Sequence, residues 1–389
     1  MNIKSLNRKL NKKFAGRVTA RLSDGCIVLT GELDDWNDVV DAGMTAATPH
    51  SSTHVVNDIV FTGAAEEKMH MPAIDDKALD GEKPDVLVIG GGISGCSVAR
   101  ELSRYKLSVL LIDKEADLAL GASGRNDGEV HPGVDLSKGS LKHKYIRRAN
   151  HMYEDLCREL DVPFKRTGQY ACFTHKSWLP FVSLYAKWRR DHDGIEDTCI
   201  VMGDEIRKKE PKISADVAFA LSNPSSGSVS PYNLVIAYAE NAVQNGARVS
   251  LNTAVTGMDV SGGEIKAVYT NRGTIYPREV INCAGVYSDV VAQMAQDRFF
   301  SIHPRRGTNS ILDKKTGASF HGIASIVMSQ SPVQTHTKGG GILHTMHDNL
   351  LIGPDAVETP ERENTATNAE SIARVFTKQR ITLPILTEK

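Results

Sequence analysis

"PDVLVIGGGISGCSVAREL", residues 84–102, decides the fold of most of this 389-residue chain. The apolar run VLVI is typical of a short buried strand, and CSVAREL is typical of the first turns of a helix. Between them, Gly90, Gly92 and Gly95 fit the pattern GxGxxG. The first glycine allows a tight turn, the second lets backbone N–H groups approach a pyrophosphate, and the third lets helix and strand pack closely. The stretch therefore predicts a strand, a turn and a helix that bind the phosphates of a dinucleotide.

An acidic residue at the end of the next strand completes this pattern. The run SVLLI is followed by Asp113, 18 residues after Gly95, where a carboxylate can accept hydrogen bonds from the adenosine ribose hydroxyls. The helix that includes Ile93 and Ser94 directs its N-terminal N–H groups and the positive end of its dipole toward the phosphates. The pattern fits a nicotinamide and a flavin dinucleotide equally well, because both contain an ADP half.

The composition excludes several other classes of protein. The formal net charge is −1, so there is no overall basic field that would attract nucleic acid or an anionic membrane. No apolar run approaches the about 20 residues that a membrane-spanning helix needs. The six cysteines are scattered without a CxxC pair, which predicts free thiols in a reducing compartment. We therefore expect a cytoplasmic protein with no nucleic-acid partner and no transmembrane segment.

Residues 1–80 precede the glycine-rich stretch and form a separate segment. The first 22 residues contain seven Lys or Arg and no acid, which favours a solvated basic helix over an organelle-targeting peptide. The pattern then predicts a strand, a turn at Asp24-Gly25, a strand, a helix and a strand. A polar linker leads on to Pro84. We expect a small α/β module, either a docking domain or a cap packed on the main body.

From residue 85 onward, patterns of helix and strand alternate. Helical periodicity predicts long helices over 141–160 and 229–247, and alternation predicts a strand over 168–174. Residues 248–285 read as a meander of short strands, with turns at Gly262-Gly263 and at 271–273. This order predicts a mixed α/β fold that starts with a βαβ unit.

A resemblance to a known superfamily begins after Asp113, in KEADLALGASGRNDGEVHPGVD at 114–135. The strand-end acid, the GASGRN loop and the following H-x-G resemble the D-amino-acid-oxidase-like superfamily of FAD-dependent oxidoreductases, within it the glycerol-3-phosphate dehydrogenase and L-2-hydroxyglutarate oxidase group. Further segments resemble that group in the same order: 205–214, 226–258, 280–289, 303–307 and 337–356. More weakly, DGCIVLTGEL and VVNDIVF in residues 1–80 resemble a BON-type module, which is usually a docking or surface-binding domain.

The resemblance implies an α/β (α+β) fold with a particular division into domains. A Rossmann-like FAD-binding domain would comprise 84–165, 222–300 and 345–389, with an inserted antiparallel-sheet substrate domain of 166–221 and 301–344. In this superfamily the chain continues from a helix such as that at 380–389 into a last strand and a glycine-arginine turn. We therefore expect that the C-terminal end of the FAD domain is missing, which leaves open whether this shortened chain is active.

The resemblance also implies which residues contact FAD. Ser123, Arg125 and Asn126 offer a hydroxyl, a guanidinium and an amide where the pyrophosphate and ribityl chain must be held. Val255 would contact the adenine through its backbone, and Ala284 would let the backbone approach the dinucleotide closely. The full set of expected cofactor residues is Gly90, Gly92, Ile93, Ser94, Gly95, Asp113, Lys114, Ser123, Gly124, Arg125, Asn126, Val255, Ala284 and Gly285.

The implied reaction is oxidation of a C–H bond next to an oxygen or nitrogen, with hydride passing to flavin N5. His131 is the candidate base or flavin-ring contact; the alternative is a histidine that is only hydrogen-bonded in its loop. Arg305 and Arg306 are adjacent in an expected strand, so their side chains point to opposite faces and only one would enter a site. We select Arg306 as the group that binds the substrate anion. Lys338 either pairs with the substrate or is a solvated turn lysine.

Three further histidines, His336, His344 and His347, do not suggest a metal site, because no cluster of carboxylates accompanies them. We expect no metal. The favoured function is an FAD-dependent dehydrogenase or oxidase of a small anionic alcohol, glycerol 3-phosphate or a 2-hydroxy acid. Its electron acceptor would be oxygen, a quinone or a partner protein. The alternatives are an amino-acid or amine oxidoreductase, and a non-catalytic flavoprotein or assembly subunit that docks a partner through residues 1–80.

Overall fold

The structure is a computed structural model that describes residues 2–47, 54–65, 68–195, 197–326 and 340–386. Its contacts divide the chain into two compact units. The first unit comprises Met1–Gly124, Tyr238–Arg306 and Val357–Thr365, and the second comprises Arg125–Ala237, Gly307–Ala356 and Ala366–Lys389. The domain division expected from the resemblance has other boundaries and stays a prediction.

The described chain contains both helices and strands. The helices are α1 Ile3–Lys13, α2 Trp36–Ala46, α3 Ile93–Leu102, α4 Leu141–Glu159, α5 Leu179–Asp193, α6 Gly203–Lys209, α7 Pro231–Gln244, α8 Ser288–Met294, α9 Lys314–Gly317 and α10 Ala369–Gln379. The strands are β1 Val18–Ser23, β2 Cys26–Leu33, β3 Val55–Phe61, β4 Val86–Ile89, β5 Val109–Ile112, β6 Glu129–Val130, β7 Phe164–Lys165, β8 Gln169–Phe173, β9 Cys199–Met202, β10 Phe219–Asn223, β11 Gly227–Val229, β12 Arg248–Ser250, β13 Val255–Ser261, β14 Glu264–Thr270, β15 Gly273–Ile275, β16 Glu279–Asn282, β17 Arg305–Arg306, β18 Ser310–Ile311, β19 Ile323–Ile326, β20 Gly341–His344, β21 Leu350–Gly353 and β22 Val357–Glu358.

The N-terminal module, residues 2–63, has the predicted order of elements after its first helix. Strand β2 lies between β1, to which it is antiparallel, and β3, to which it is parallel. The basic segment is the predicted helix, α1, and its Lys and Arg side chains are exposed, but one face of the helix is buried. Leu6 and Leu10 are fully buried and pack with Leu29 and Val39, because residues four apart lie on one face of a helix.

A four-stranded parallel sheet, in the order β12-β5-β4-β16, forms the centre of the first unit. Every residue of VLVI and of VLLI is buried, as is typical of parallel strands covered on both faces. The register aligns Ile89 with Ile112 and with Asn282. The carboxyl ends of these strands therefore meet at one edge of the sheet. The residues that follow each strand in the sequence lie side by side there.

The predicted meander is present as the antiparallel sheet β13-β14-β15. Its turns lie where the sequence predicted them, and Gly262, Gly263 and Gly273 have positive φ values of 61°, 79° and 112°. The linker runs along this sheet: Asp76 forms an ion pair with Arg272 at 3.0 Å, and Asp80 accepts a hydrogen bond from the Thr274 N–H at 3.0 Å. The polar linker is thus held against the β13-β14-β15 sheet.

The second unit is built on a seven-stranded sheet in the order β18-β21-β20-β19-β8-β10-β9. All of its strand pairs are antiparallel except β19 with β8, which confirms the expected antiparallel-sheet part of a mixed α/β fold. Cys172, Phe320 and Ile342 are fully buried in its core.

The helix predicted at 141–160 is α4 and the strand at 168–174 is β8. No helix among the described residues is long and apolar enough to cross a membrane.

Candidate cofactor site and active-site residues

The glycine turn after β4 leaves no room for side chains at two positions. Gly90 has a φ of 110°, and a Cβ on it would lie 2.2 Å from the Cys283 carbonyl oxygen. A Cβ on Gly95 would lie 1.8 Å from the Gly90 carbonyl oxygen. The first contact presses the turn against the end of β16, and the second presses α3 against the turn. Both glycines have the roles that the GxGxxG pattern predicts.

The start of α3 is open to a ligand. Gly92 is the N-cap residue and makes no side-chain capping hydrogen bond. Ile93 and Ser94 are exposed in the first helical turn. The Ile93 N–H donates to Ser123 Oγ at 2.9 Å, and Gly124 follows in the 3₁₀ turn Ala122–Gly124. The Ser123 hydroxyl predicted to bind phosphate therefore lies at the helix N-terminus, where an anion is stabilised.

Asp113 lies directly beside the turn, as predicted. Its carboxylate accepts hydrogen bonds from the Gly91 N–H and, at 2.8 Å, from the Glu115 N–H. Burial raises the pKa of Asp113, and these two hydrogen bonds only partly oppose that effect. The carboxylate is thus placed to receive a further donor, such as a ribose hydroxyl.

Sequence reasoning missed one of the two acidic partners of Lys114, the other being the adjacent Glu115. Its ammonium forms an ion pair with Glu363 at 2.7 Å, and Glu363 also accepts a hydrogen bond from the His70 N–H at 2.9 Å. Burial disfavours ionisation of Glu363, but the contacts with Lys114 and His70 outweigh it and lower the pKa of this carboxyl. Glu363 therefore holds Lys114 in place next to Asp113.

A second missed pair fixes the turn that follows β16. Arg362 donates two hydrogen bonds to the buried carboxylate of Asp289, at 2.8 and 3.0 Å, and another to the Val286 carbonyl oxygen. Its guanidinium lies 5.6 Å from the centre of the Tyr287 ring. Neither residue belongs to a recognisable motif, and 73 positions separate them, so no local signal pointed to the pair.

Three of the remaining cofactor residues lie at or next to the ends of strands. Val255 is buried at the start of β13, in the same apolar cluster as Ile89 and Ile112. Ala284 and Gly285 form the turn after β16, where Gly285 has a φ of 57°. Arg125 and Asn126 belong to the second unit and are exposed. The assignment of these individual contacts to FAD stays a prediction.

His131 is held by a chain of polar side chains within the second unit. Its Nδ1 lies 3.2 Å from Glu129 Oε1, which also accepts a hydrogen bond from Gln169 Nε2 at 2.7 Å. Gln169 Oε1 in turn accepts from Asn223 Nδ2 at 3.2 Å. Asn223 is fully buried, so the chain is anchored in the sheet. A carboxylate at Nδ1 fixes the orientation and tautomer of an imidazole. Glu129 was not selected from the sequence, although it lies two residues from His131.

The two neighbouring arginines differ as their alternation in β17 predicts. Arg305 is exposed and forms an ion pair with Glu358 of β22 at 3.1 Å. Arg306 Nε is buried and has no hydrogen-bond partner among the described residues. A buried guanidinium nitrogen in that state is suited to binding an anion. The role of Arg306 in substrate binding nevertheless stays a prediction.

The structure says less about Lys338 and the remaining histidines. Lys338 and His336 lie outside the described residues. His344 is buried in β20, and its ring stacks on that of His321 with 6.0 Å between ring centres. Within the described part of the chain, no group of His, Cys, Asp or Glu side chains has an arrangement that would hold a metal ion.

A glycine turn without room for side chains, an open helix N-terminus and a strand-end carboxylate define a dinucleotide-binding protein. The chain belongs to the DAO family, described as FAD dependent oxidoreductase, whose model matches residues 85–388. FAD is therefore its cofactor. The tight glycine turn, the helix N-terminus and the strand-end carboxylate fit the ADP half of FAD. The N-terminal module and the linker lie outside the matched residues.

Similar proteins include several with stated activities. Over 305 residues the chain is 35% identical to a glycerol 3-phosphate dehydrogenase of Caloramator mitchellensis, covering 77% of this chain and 62% of the relative. Over 308 residues it is 28% identical to a glycerol 3-phosphate oxidase of Mycoplasma genitalium, covering 78% and 79%. An L-2-hydroxyglutarate dehydrogenase of Indibacter alkaliphilus is 33% identical over 227 residues, covering 57% and 56%.

Solved structures show the same fold. The dithionite-reduced L-α-glycerophosphate oxidase of Mycoplasma pneumoniae with FAD bound superposes with a TM-score of 0.71 at 24% identity, covering 79% of this chain and 80% of that one. Thus the fold expected from the resemblance is confirmed. The chain spans about three fifths of the length of the Caloramator dehydrogenase (62%).

Proposed function

We propose that this chain oxidises a small anionic alcohol and that glycerol 3-phosphate is its substrate. The observation that carries the proposal is the 35% identity over 305 residues with a glycerol 3-phosphate dehydrogenase. The similarity to an L-2-hydroxyglutarate dehydrogenase makes a 2-hydroxy acid the second candidate. Both substrates combine a secondary alcohol with an anionic group, so both need a base and a cation in the site.

The base in this proposal is His131. FAD, when bound, supplies the hydride acceptor. Oxidation of an alcohol to a ketone also releases the hydroxyl proton, and a histidine held in one orientation can accept it. Glu129 lies 3.2 Å from Nδ1, so it would stabilise the imidazolium that forms when the ring takes a proton at Nε2. Gln169 holds the Glu129 carboxylate in turn.

The cation in this proposal is Arg306. A guanidinium binds phosphate or carboxylate through two parallel N–H donors, which fixes the orientation of the substrate as well as its charge. The burial of Nε removes competition from water and strengthens the interaction. Arg305 would have no such role, because its side chain is committed to Glu358.

Several finer points belong to the same proposal. The electron acceptor would be oxygen, a quinone or a partner protein, and the pattern of scattered thiols supports a cytoplasmic location. An amino-acid or amine oxidoreductase and a non-catalytic flavoprotein are the competing functions. Each would leave the flavin oxidised when an anionic alcohol is added.

The test is the visible spectrum of the purified chain under anaerobic conditions, before and after addition of glycerol 3-phosphate and then L-2-hydroxyglutarate. Bleaching of the flavin bands by glycerol 3-phosphate supports the proposal, and glycerol serves as the uncharged control. Bleaching by L-2-hydroxyglutarate alone selects the second candidate. A bound flavin that neither compound bleaches, but that an amino acid does, would refute the proposal.

A further inference from the structure

The N-terminal module is hydrogen-bonded to another short stretch of the same unit, Arg298–His303, which we call the docking segment. Asn57 donates a hydrogen bond from Nδ2 to His303 Nε2 at 2.9 Å and one from its N–H to Ser301 Oγ at 2.8 Å. The neighbouring Asp58 forms an ion pair with Arg298 at 2.7 Å. Strand β3 therefore holds the docking segment at three points.

Aromatic contacts close the same interface. The Trp36 ring meets the His303 ring edge to face, with 5.8 Å between ring centres. Gly43 of α2 lies so close that a Cβ on it would be 2.9 Å from His303 Cε1. Burial lowers the pKa of His303 and so favours the neutral imidazole, whose Nε2 can accept the hydrogen bond from Asn57.

On its other side, the docking segment holds Asp289. The Ile302 N–H donates to Asp289 Oδ2 at 2.9 Å, and the same carboxylate accepts hydrogen bonds from the two terminal guanidinium nitrogens of Arg362. Asp289 is 3% exposed. Since a buried charge must keep its partners, a shift of the docking segment would disturb Asp289 and with it Arg362.

Arg362 connects this network to the cofactor site. It donates to the carbonyl of Val286, in the turn Gly285–Tyr287 that follows the Cys283 contact with Gly90. The next residue, Glu363, holds Lys114 beside Asp113. Residues expected to face the ADP half of FAD are therefore linked to contacts that begin in the module.

We propose that the N-terminal module is a positioning element of the FAD site: by fixing Arg298–His303 it fixes the Asp289–Arg362 pair and the turn beside the glycine cradle. Loss of these contacts weakens FAD binding, although the residues expected to contact the dinucleotide all lie outside the module. The proposal rests on FAD as the cofactor and is independent of the substrate.

The test compares two double variants of the full chain. Asn57→Ala/Asp58→Ala removes side chains that face the docking segment. Asn7→Ala/Asp34→Ala is the matched control, because Asn7 bonds Ala20 and Asp34 pairs with Arg17 at 2.7 Å, both inside the module. FAD affinity is measured by flavin fluorescence and thermal stability by circular dichroism. We expect the first variant to raise the Kd for FAD by about fivefold or more, and the control to leave it unchanged.

Two further measurements separate positioning from general destabilisation. Hydrogen exchange of 285–289 in the absence of FAD should speed up in the first variant only. The effects of Asn57→Ala/Asp58→Ala and of Arg362→Met on the Kd should be less than additive, since they break one network. Equal FAD affinity in all variants, equal losses in both double variants, or full additivity would each overturn the proposal. None of these readouts requires turnover, so a wrong substrate assignment would not affect them.

Discussion

The Cα of Gly90 lies so close to the carbonyl group of Cys283 that a Cβ would be 2.2 Å from its oxygen. The contact joins the carboxyl ends of two adjacent parallel strands, β4 and β16. There are two reasons why this position must be glycine. Backbone atoms occupy the space that a Cβ would need, and residues with a side chain rarely adopt a φ of 110°.

Gly90→Ala should therefore destabilise the chain and abolish FAD binding. The left-handed backbone alone costs about 1–2 kcal/mol for a residue with a Cβ, and the backbone clash adds to it because a carbonyl oxygen cannot rotate away. Thermal unfolding and the flavin absorbance that remains after gel filtration measure both effects. Gly257→Ala is the control, since a Cβ there would meet Tyr269 Cδ2 at an ordinary 3.5 Å. Retention of FAD by Gly90→Ala would contradict the assignment of the cradle.

The parts of the fold that were predicted correctly have local signals. The glycine spacing, the apolar runs of β4 and β5 and the acid after β5 are all readable within 30 residues, because their geometry depends on near neighbours. The Lys114–Glu363 and Arg362–Asp289 pairs were missed because tertiary folding alone brings them together. The burial of Leu6 in α1 was missed for another reason. The segment is rich in Lys and Arg, which suggested an exposed helix, although Leu6 and Leu10 are four residues apart and therefore share one face.

The active-site candidates show the same limit. His131 was selected because it follows a loop that resembles the cofactor loop of the superfamily. Glu129 was overlooked, although residues two apart in extended chain share a face. Whether both side chains act on a substrate depends on atoms that a sequence pattern does not place. The alternation of Arg305 and Arg306 was informative, since it requires only that the two residues be extended.

Arg306→Met should raise the KM for glycerol 3-phosphate by about tenfold to a hundredfold, because a hydrogen bond between charged groups contributes about 1.5–3 kcal/mol. Steady-state kinetics with an artificial electron acceptor measures the change. Arg305→Met is the matched control and should leave the KM unchanged, since its exposed pair with Glu358 contributes only to stability. If Arg305→Met has the larger effect, the assignment of the anion-binding arginine is wrong.

Glu129→Gln should slow the reduction of the flavin by substrate about tenfold or more, because general base catalysis contributes factors of about a hundred or more and a neutral amide stabilises the imidazolium less well. Anaerobic stopped-flow absorbance measures this single step. FAD affinity should not change. Glu205→Gln, at an exposed position of α6 in the same unit, is the control. A normal rate in Glu129→Gln would leave His131 as a histidine that is merely hydrogen-bonded in its loop.

Asp113 should make FAD binding depend on pH. Burial raises its pKa in the FAD-free chain above the ordinary value of 3.8, and the charge of Glu115 adds to this while Lys114 opposes it. Ribose hydroxyls that donate to the carboxylate favour its ionised form, so bound FAD should lower the pKa. Binding then releases a proton, and the Kd should rise as pH falls through the pKa of the free chain and level off below that of the complex. Fluorescence titrations from neutral pH downward measure the Kd, and circular dichroism confirms that the chain stays folded. Asp113→Asn should bind more weakly at neutral pH and show no such rise. Parallel pH profiles for the two proteins would mean that Asp113 does not contact the ribose.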